Sequence, residues 1–385
     1  MGRRSSRPRR RPPSRAHDAR ESGPVTRLAR VAPLLFLLVV GACDGGDTTT
    51  PEQPPVFAST PPALLSARSP TKDEDPSVIL ARDGSIVVAW FSDRGADPGD
   101  LYITRSERGT EWADPVRVTV SPDGDFYPSL YQDDRGVFHL AWFRWYALNR
   151  GHIWTNRSGD PLAWDPGREV QVTTTLDVDD WVPSIAQTGD SLRVFFVSES
   201  RDAVNPTSDI YTASAHIDSM AWGSATPMTI NSPTEHDHLP VAAWTGSELS
   251  LVWVRHDTSQ PAPWLNPPPT SHLYASASGD GTAWSAAAAV TTDGGAVVNV
   301  FPGLYRRRGG AWWLLWLSTR AGAPALYEIP LANLAAYPAG VETNAALPPG
   351  YSHRVVRTPV AGLYFGVWVQ GPDGAQDVYY RFYQE

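Results

Sequence analysis

Residues 72–102 read Lys72-Asp-Glu-Asp-Pro76-Ser-Val-Ile-Leu-Ala-Arg-Asp-Gly84-Ser-Ile-Val-Val-Ala-Trp90-Phe-Ser-Asp-Arg94-Gly-Ala-Asp-Pro-Gly-Asp100-Leu-Tyr102, and this stretch decides the fold. A proline opens a short apolar segment, an Asp-Gly turn follows, and a run of β-branched and aromatic residues ends on Trp90. Such runs separated by a tight turn describe paired strands. The same order then recurs along the chain, the mark of a repeat architecture. The opening position is Pro76, Pro128, Pro183, Pro240 and Pro302, with Arg354 in the sixth copy. The second-strand aromatics are Trp90, Trp142, Phe196, Trp253, Trp316 and Trp368. A polar or small residue, an aliphatic and an aromatic follow at Asp100-Leu-Tyr102, His152-Ile-Trp154, Asp209-Ile-Tyr211, His272-Leu-Tyr274, Ala325-Leu-Tyr327 and Asp377-Val-Tyr379. A further aromatic stands at Trp112, Trp164, Trp222, Trp284 and Tyr337.

The openings lie 52 to 62 residues apart, enough for four strands with long loops. No segment shows a convincing helical period; Leu331–Ala336 has room for one turn at most. The sixth copy lacks its fourth-strand aromatic, and the stretch Phe57–Ala67 has the length and pattern to supply the missing strand. The expectation is an all-β, six-bladed β-propeller of four-stranded blades over residues 57–385, the last blade closed by an N-terminal strand. Closure leaves no open sheet edge. A two-sheet sandwich would not explain the sixfold regularity.

Upstream, residues 1–30 carry ten Arg, the apolar run Val31–Val40 follows, and Gly41-Ala42-Cys43 comes next. A basic segment, a short apolar core and a small-residue cleavage site describe an export signal over residues 1–42. The core is too short to span a bilayer. Val40-Gly-Ala-Cys43 resembles the bacterial lipobox, which implies lipidation of Cys43, a membrane anchor in the cell envelope, and a flexible linker over 43–56. Cys43 is the chain's single cysteine, so no internal disulfide framework and no thiolate-rich zinc site is available. Ten of the 32 basic and two of the 41 acidic residues lie in 1–42, which leaves 22 against 39 and a net charge of −17. That balance speaks against nucleic acid as a partner and suits neutral ligands and cations.

The turn Ser278-Gly-Asp-Gly281-Thr-Ala-Trp284 is close to the Asp-box, and Ser106-Glu-Arg-Gly109-Thr-Glu-Trp112 is a degenerate copy without the Asp. Asp and Ser in such a turn bond backbone N–H groups, Gly takes positive φ, and Trp packs beneath. On these boxes and the sixfold repeat, the chain resembles the sialidase-like (BNR-repeat) propellers over roughly residues 57–385. That family holds its substrate carboxylate with three Arg, and uses a Tyr nucleophile activated by Glu and an Asp acid/base. Glu235, Arg255, Arg320 and Tyr351 occur in the family's order. The resemblance therefore implies Tyr351 as nucleophile, Glu235 as its base, and an Asp from 73–100, with Asp75 the candidate, as proton donor. Where sialidases carry an Arg two residues before the first-blade Pro, this chain has Glu74. A carboxylate there would repel an anionic sugar.

In a propeller the loops leading into each inner strand, and those joining second to third strands, converge on one face, the default binding site. Here the first set is acidic and includes Asp125, Asp177, Asp180, Glu235 and Asp237; the second carries Arg94, Arg144, Arg201, Arg255 and Arg320. Two readings fit: the charges pair with one another, or the recurring arginines share a ligand pocket with Asp125 and Asp180. His236 and His238, with Asp237 and His256, form a permissive pattern for a divalent cation, and the 177–180 carboxylates suit Ca2+. Trp145, Trp181 and Trp264, with Tyr127 and Tyr146, fall in loops and suit stacking on sugar rings. Three functions remain open: an envelope propeller that binds a glycan or other polar ligand, a glycoside hydrolase or lyase acting on something other than sialic acid, and a protein-docking scaffold.

Overall fold

Short apolar runs separated by tight turns fold every repeat into one antiparallel sheet. The computed structural model describes residues 61–66, 72–94, 98–146, 150–176, 178–199, 201, 207–229, 234–257, 270–307, 310–332, 341–342, 350–358, 363–372 and 375–384. The signal segment, Cys43, the linker, Phe57, Asp177, Trp264 and Tyr337 lie outside them. Six four-stranded sheets follow one another around a ring. The inner strands are Asp73–Leu80, Gly124–Gln132, Asp179–Thr188, Glu235–Trp244, Asn299–Arg306 and Tyr351–Arg357. Each pairs with a second strand, of which Ile86–Ser92 and Phe138–Tyr146 belong to blades one and two. Inner strands of consecutive blades touch all the way round, the sixth returning to the first.

Closure comes from both ends of the chain. Ala63 pairs with Tyr380 and Leu64 with Tyr379, so a two-residue N-terminal strand is the outermost strand of blade six. The Leu65 amide donates to the Val378 carbonyl at 2.8 Å, and the Val378 amide donates to Ser66 Oγ at 3.0 Å. Second strands are buried on both faces, which is why they read as continuous apolar runs rather than alternating ones. The anchor aromatics Trp90, Trp142, Phe196, Trp253, Trp316 and Trp368 are all fully buried or nearly so and fill the space between blades.

One local device repeats in all six blades. Every inner strand bulges opposite its buried aromatic, between Glu74 and Ser77, Phe126 and Ser129, Trp181 and Ser184, His238 and Val241, Val300 and Gly303, and Tyr351 and Arg354. The first bulge residue has positive φ each time: Asp75, Tyr127, Val182, Leu239, Phe301 and Ser352. A bulge adds one residue and re-aims side chains, and the proline that follows in five blades donates no N–H that the interrupted ladder would leave unpaired. The equivalent of that proline in blade six is His353, not Arg354, which instead matches Ser77, Ser129 and Ser184. Those three serines tie neighbouring blades, accepting from the amides of Leu130, Ile185 and Ala242 at 3.0–3.1 Å.

Candidate functional site

Inner strands begin, and second strands end, at the same end of each sheet, so this end of the ring forms the mouth. The recurring acids and arginines of the mouth bind each other within their own blades. In blade one, Asp73 accepts from Trp90 Nε1 at 3.2 Å and from Arg94 at 3.1 and 3.2 Å. In blade two, Asp125 accepts from Trp142 Nε1 at 2.9 Å and holds Arg144 through two bonds of 2.7 and 2.9 Å, with Glu169 on the same guanidinium. Asp180 grips Arg201 at 2.6 and 2.8 Å, and Asp237 grips Arg255 at 2.7 and 2.8 Å. In blade five Asn299 replaces the acid, accepting from Trp316 Nε1, and Arg320 turns to Asp293 at 2.9 Å.

Each of these guanidinium groups also lies 4.4–5.1 Å from the third-strand ring of its blade: Tyr102, Trp154, Tyr211, Tyr274 and Tyr327. A buried carboxylate, a bidentate Arg and an aromatic face satisfy one another, since a buried charge is tolerated only when paired and hydrogen-bonded. The recurrence of Asp and Arg that suggested a shared pocket thus has an architectural cause. Arg94, Arg144, Arg255, Arg320, Asp125 and Asp180 stand in these clips. Blade six has no Arg between its second and third strands, and Trp368 Nε1 donates to Gln370 instead.

The bulges bring a different set together. The Tyr351 hydroxyl donates to Glu74 Oε1 at 2.8 Å, although 277 residues separate them, because blade six adjoins blade one in the closed ring. Lys72 Nζ lies 2.6 Å from the other Glu74 oxygen. The carboxylate on Tyr351 is therefore Glu74 rather than Glu235, whose ion pair is with Arg255 of its own blade at 3.5 Å. Asp75, the next residue, is raised to about 8 by burial first and by the Glu74 charge second; Lys72 and Arg354 oppose the shift. At neutral pH Asp75 carries its proton while its neighbour Glu74 serves as acceptor. Arg354 donates to the His353 carbonyl at 3.0 Å, and burial pulls its pKa down.

From this corner an aromatic arc runs round the mouth. Tyr127 feels the charges of Asp75 and Glu74 and lies 6.5 Å from Trp181; Trp181 is 5.6 Å from His238. Phe301 of blade five stands 6.3 Å from Tyr351. Trp145 is exposed at the rim, whereas Trp181 is buried. His236, His238 and His256 stack with ring centroids 4.9–5.7 Å apart. Burial lowers all three, His256 to about 4; repulsion among the rings adds to the effect at His238 and His256, while Asp237 and Asp257 oppose it at His236, so they are neutral at pH 7. Asp237 spends both oxygens on Arg255, and among the described residues no three His, Cys, Asp or Glu side chains are arranged to hold a metal ion. The cation expected at His236, His238 and Asp237 does not fit this arrangement: the imidazoles are stacked and the carboxylate is occupied.

At the opposite end of the sheets, Ser278 and Asp280 accept from the amides of Gly281, Thr282 and Ala283, and Trp284 Nε1 donates to the Gly281 carbonyl. These turns brace hairpins far from the mouth.

No family model and no curated protein matches the chain. Solved structures do. The α-L-arabinanase of Penicillium chrysogenum, complexed with arabinobiose, aligns with a TM-score of 0.67 at 15% identity, over 85% of this chain and 99% of that one. A protein of unknown function from Dyadobacter fermentans gives 0.66 at 12% identity, over 84% and 98%. A Hadza microbial sialidase gives 0.57 at 10% identity, over 81% and 65%. At these identities the likeness is one of fold, and the fold is the sialidase-like six-bladed β-propeller.

Proposed function

We propose that the protein is a lipid-anchored envelope propeller that acts on a glycan at the corner between blades six and one. The observation that carries this reading is the Tyr351–Glu74 hydrogen bond, next in sequence to Asp75, whose pKa burial raises to about 8. A carboxyl that burial keeps protonated, next to a second carboxyl that accepts from a phenol, can supply an acid and a base. The glycan-acting names among the structures of like fold, an arabinanase and a sialidase, point the same way.

The geometry suggests a sequence of steps in which Glu74 takes the Tyr351 proton as the phenol oxygen bonds to the anomeric carbon. The glycosidic C–O bond breaks, and Asp75 gives its proton to the departing oxygen. Water then attacks the anomeric carbon of the tyrosyl glycoside and breaks its bond to the phenol oxygen, with Asp75, now ionised, accepting the water proton and Tyr351 recovering its own from Glu74. The clip arginines are already bound by carboxylates, which fits a substrate without a carboxylate of its own.

The test is release of reducing ends from a panel of soluble polysaccharides. Turnover by the wild type that falls as pH rises through about 8, where Asp75 loses its proton, and that Tyr351→Phe abolishes, supports hydrolysis. Binding of a glycan with no turnover under any condition leaves a carbohydrate-binding propeller and removes the catalytic reading.

A further inference from the structure

We infer that the ligand is an extended neutral polysaccharide whose chain leaves the Tyr351–Glu74 corner and crosses the rim over blade two, with the Trp145 indole as its stacking platform. This rests on the glycan reading above and adds the direction and class of the substrate.

The large hydrophobic side chains exposed among the described residues are Val120 (61%), Trp145 (45%) and Leu176 (80%). All three flank one blade at its mouth end. Val120 lies in the loop that leads into the blade-two inner strand, Leu176 in the loop that leaves blade two for blade three, and Trp145 at the end of the blade-two second strand. Scattered exposed apolar groups are ordinary, whereas apolar groups gathered on one sector beside a site mark a contact surface.

Trp145 is built to stay uncovered. Its cross-strand partners on both sides are glycines, Gly124 and Gly151. A Cβ on Gly124 would sit 2.4 Å from the Phe126 ring, and one on Gly151 only 1.6 Å from the Phe143 ring. The aromatic pedestal beneath therefore demands glycine at both places, and glycine leaves the indole without a side chain laid over it. The pedestal is rigid: Phe126 stacks on Phe91 at 4.4 Å and stands 6.2 Å from both Phe143 and Trp145. Phe143 in turn lies 6.4 Å from Tyr127, the bulge residue of the blade-two inner strand, which packs against the blade-one inner strand that carries Glu74 and Asp75. Ring contacts thus run from beside the acid corner, through the buried Phe143, to the exposed indole.

Neutral sugars match the exposed indole. Their C–H faces stack on indole, and the guanidinium groups of this blade and its two neighbours, Arg144, Arg94 and Arg201, already sit on Asp125, Asp73 and Asp180. A polyanionic chain would meet an acidic mouth with those cations spent.

Affinity electrophoresis of the full-length chain in detergent, through gels containing arabinan, xylan or glucomannan and, separately, polygalacturonate or alginate, tests the inference. At least one neutral polymer is expected to retard the protein and neither acidic one. Oligosaccharides of the retained polymer should bind more tightly as they lengthen from two to six units. Trp145→Ala should weaken the hexasaccharide about 3- to 10-fold, the worth of one aromatic stack, and the disaccharide less, with Trp145→Phe restoring part. A thermal melt confirms that the variant folds; if it does not, Trp145→Phe with Leu176→Ser carries the comparison. Equal hexasaccharide affinity in Trp145→Ala and wild type, or equal retention by acidic polymers, overturns the inference while leaving the glycan reading intact. No retention and no cleavage of any polymer overturns both.

Discussion

Asp75 combines a positive φ, a bulge position and a carboxyl held neutral at pH 7. A non-glycine residue in the left-handed region carries a backbone cost, of order 1 kcal/mol or more, that surrounding structure must hold in place. Its raised pKa has a definite sign in stability. The folded state keeps the proton that the unfolded chain releases near pH 4, so folding is weakened as pH climbs from about 4 to 8. Asp75→Asn, which cannot ionise, should therefore melt at a higher temperature than wild type at pH 8, with the difference shrinking toward pH 4, while losing turnover. Thermal melts across that range check it; a difference independent of pH would refute the protonation state assigned to Asp75. At this scale the sequence was only partly legible. Tyr351 stood out by its resemblance to a nucleophile segment, but its partner Glu74 did not, because only ring closure brings residues 277 apart into contact. The family's order pointed to Glu235, which the fold commits to Arg255.

Within a blade, the unit of stability is the clip of acid, indole or hydroxyl, guanidinium and ring. The sequence showed the recurrence of Asp and Arg but not its meaning, since charges paired within a blade and charges shared in a pocket leave the same periodic trace. Burial decides: Asp125 is fully buried, and burial pushes its pKa up despite the bonds from Arg144 and Trp142 that pull it down. Arg144→Met should cost about 3–5 kcal/mol, because it strands a buried carboxylate. The double variant Arg144→Met/Asp125→Leu should cost less than the single one. Chemical denaturation of the two reads this directly; a double variant worse than Arg144→Met would show that the pair contributes net stability beyond removing its own penalty. The anchor tryptophans were legible for a simpler reason, as each blade needs a large apolar group in the same place. Blade six hid its register, where 15 residues rather than 13 or 14 separate the bulge position from the aromatic and His353 takes the place read for Arg354.

Across the molecule, the sixfold count and the closure by an N-terminal strand followed from the missing strand at one end of the repeat and the spare segment at the other. The strand itself is Ala63–Leu64. Closure also makes the site, since blade one and blade six supply its two halves. The proposed lipid anchor belongs to this scale: a basic and apolar leader ahead of Cys43 and an acidic domain beyond it suit an exported propeller tethered by its N-terminus. Cys43→Ser should move the protein from the membrane to the soluble fraction of expressing bacteria and abolish incorporation of labelled palmitate. Unchanged membrane association and labelling would exclude this anchor.

The most direct test compares Glu74→Gln with Glu235→Gln in reducing-end release from whichever polysaccharide the wild type cleaves. The geometry predicts that Glu74→Gln falls at least 100-fold, the scale of losing a catalytic base, while Glu235→Gln stays within a few-fold of wild type. The reverse pattern, activity kept without Glu74 and lost without Glu235, would contradict the placement of the chemistry between blades six and one.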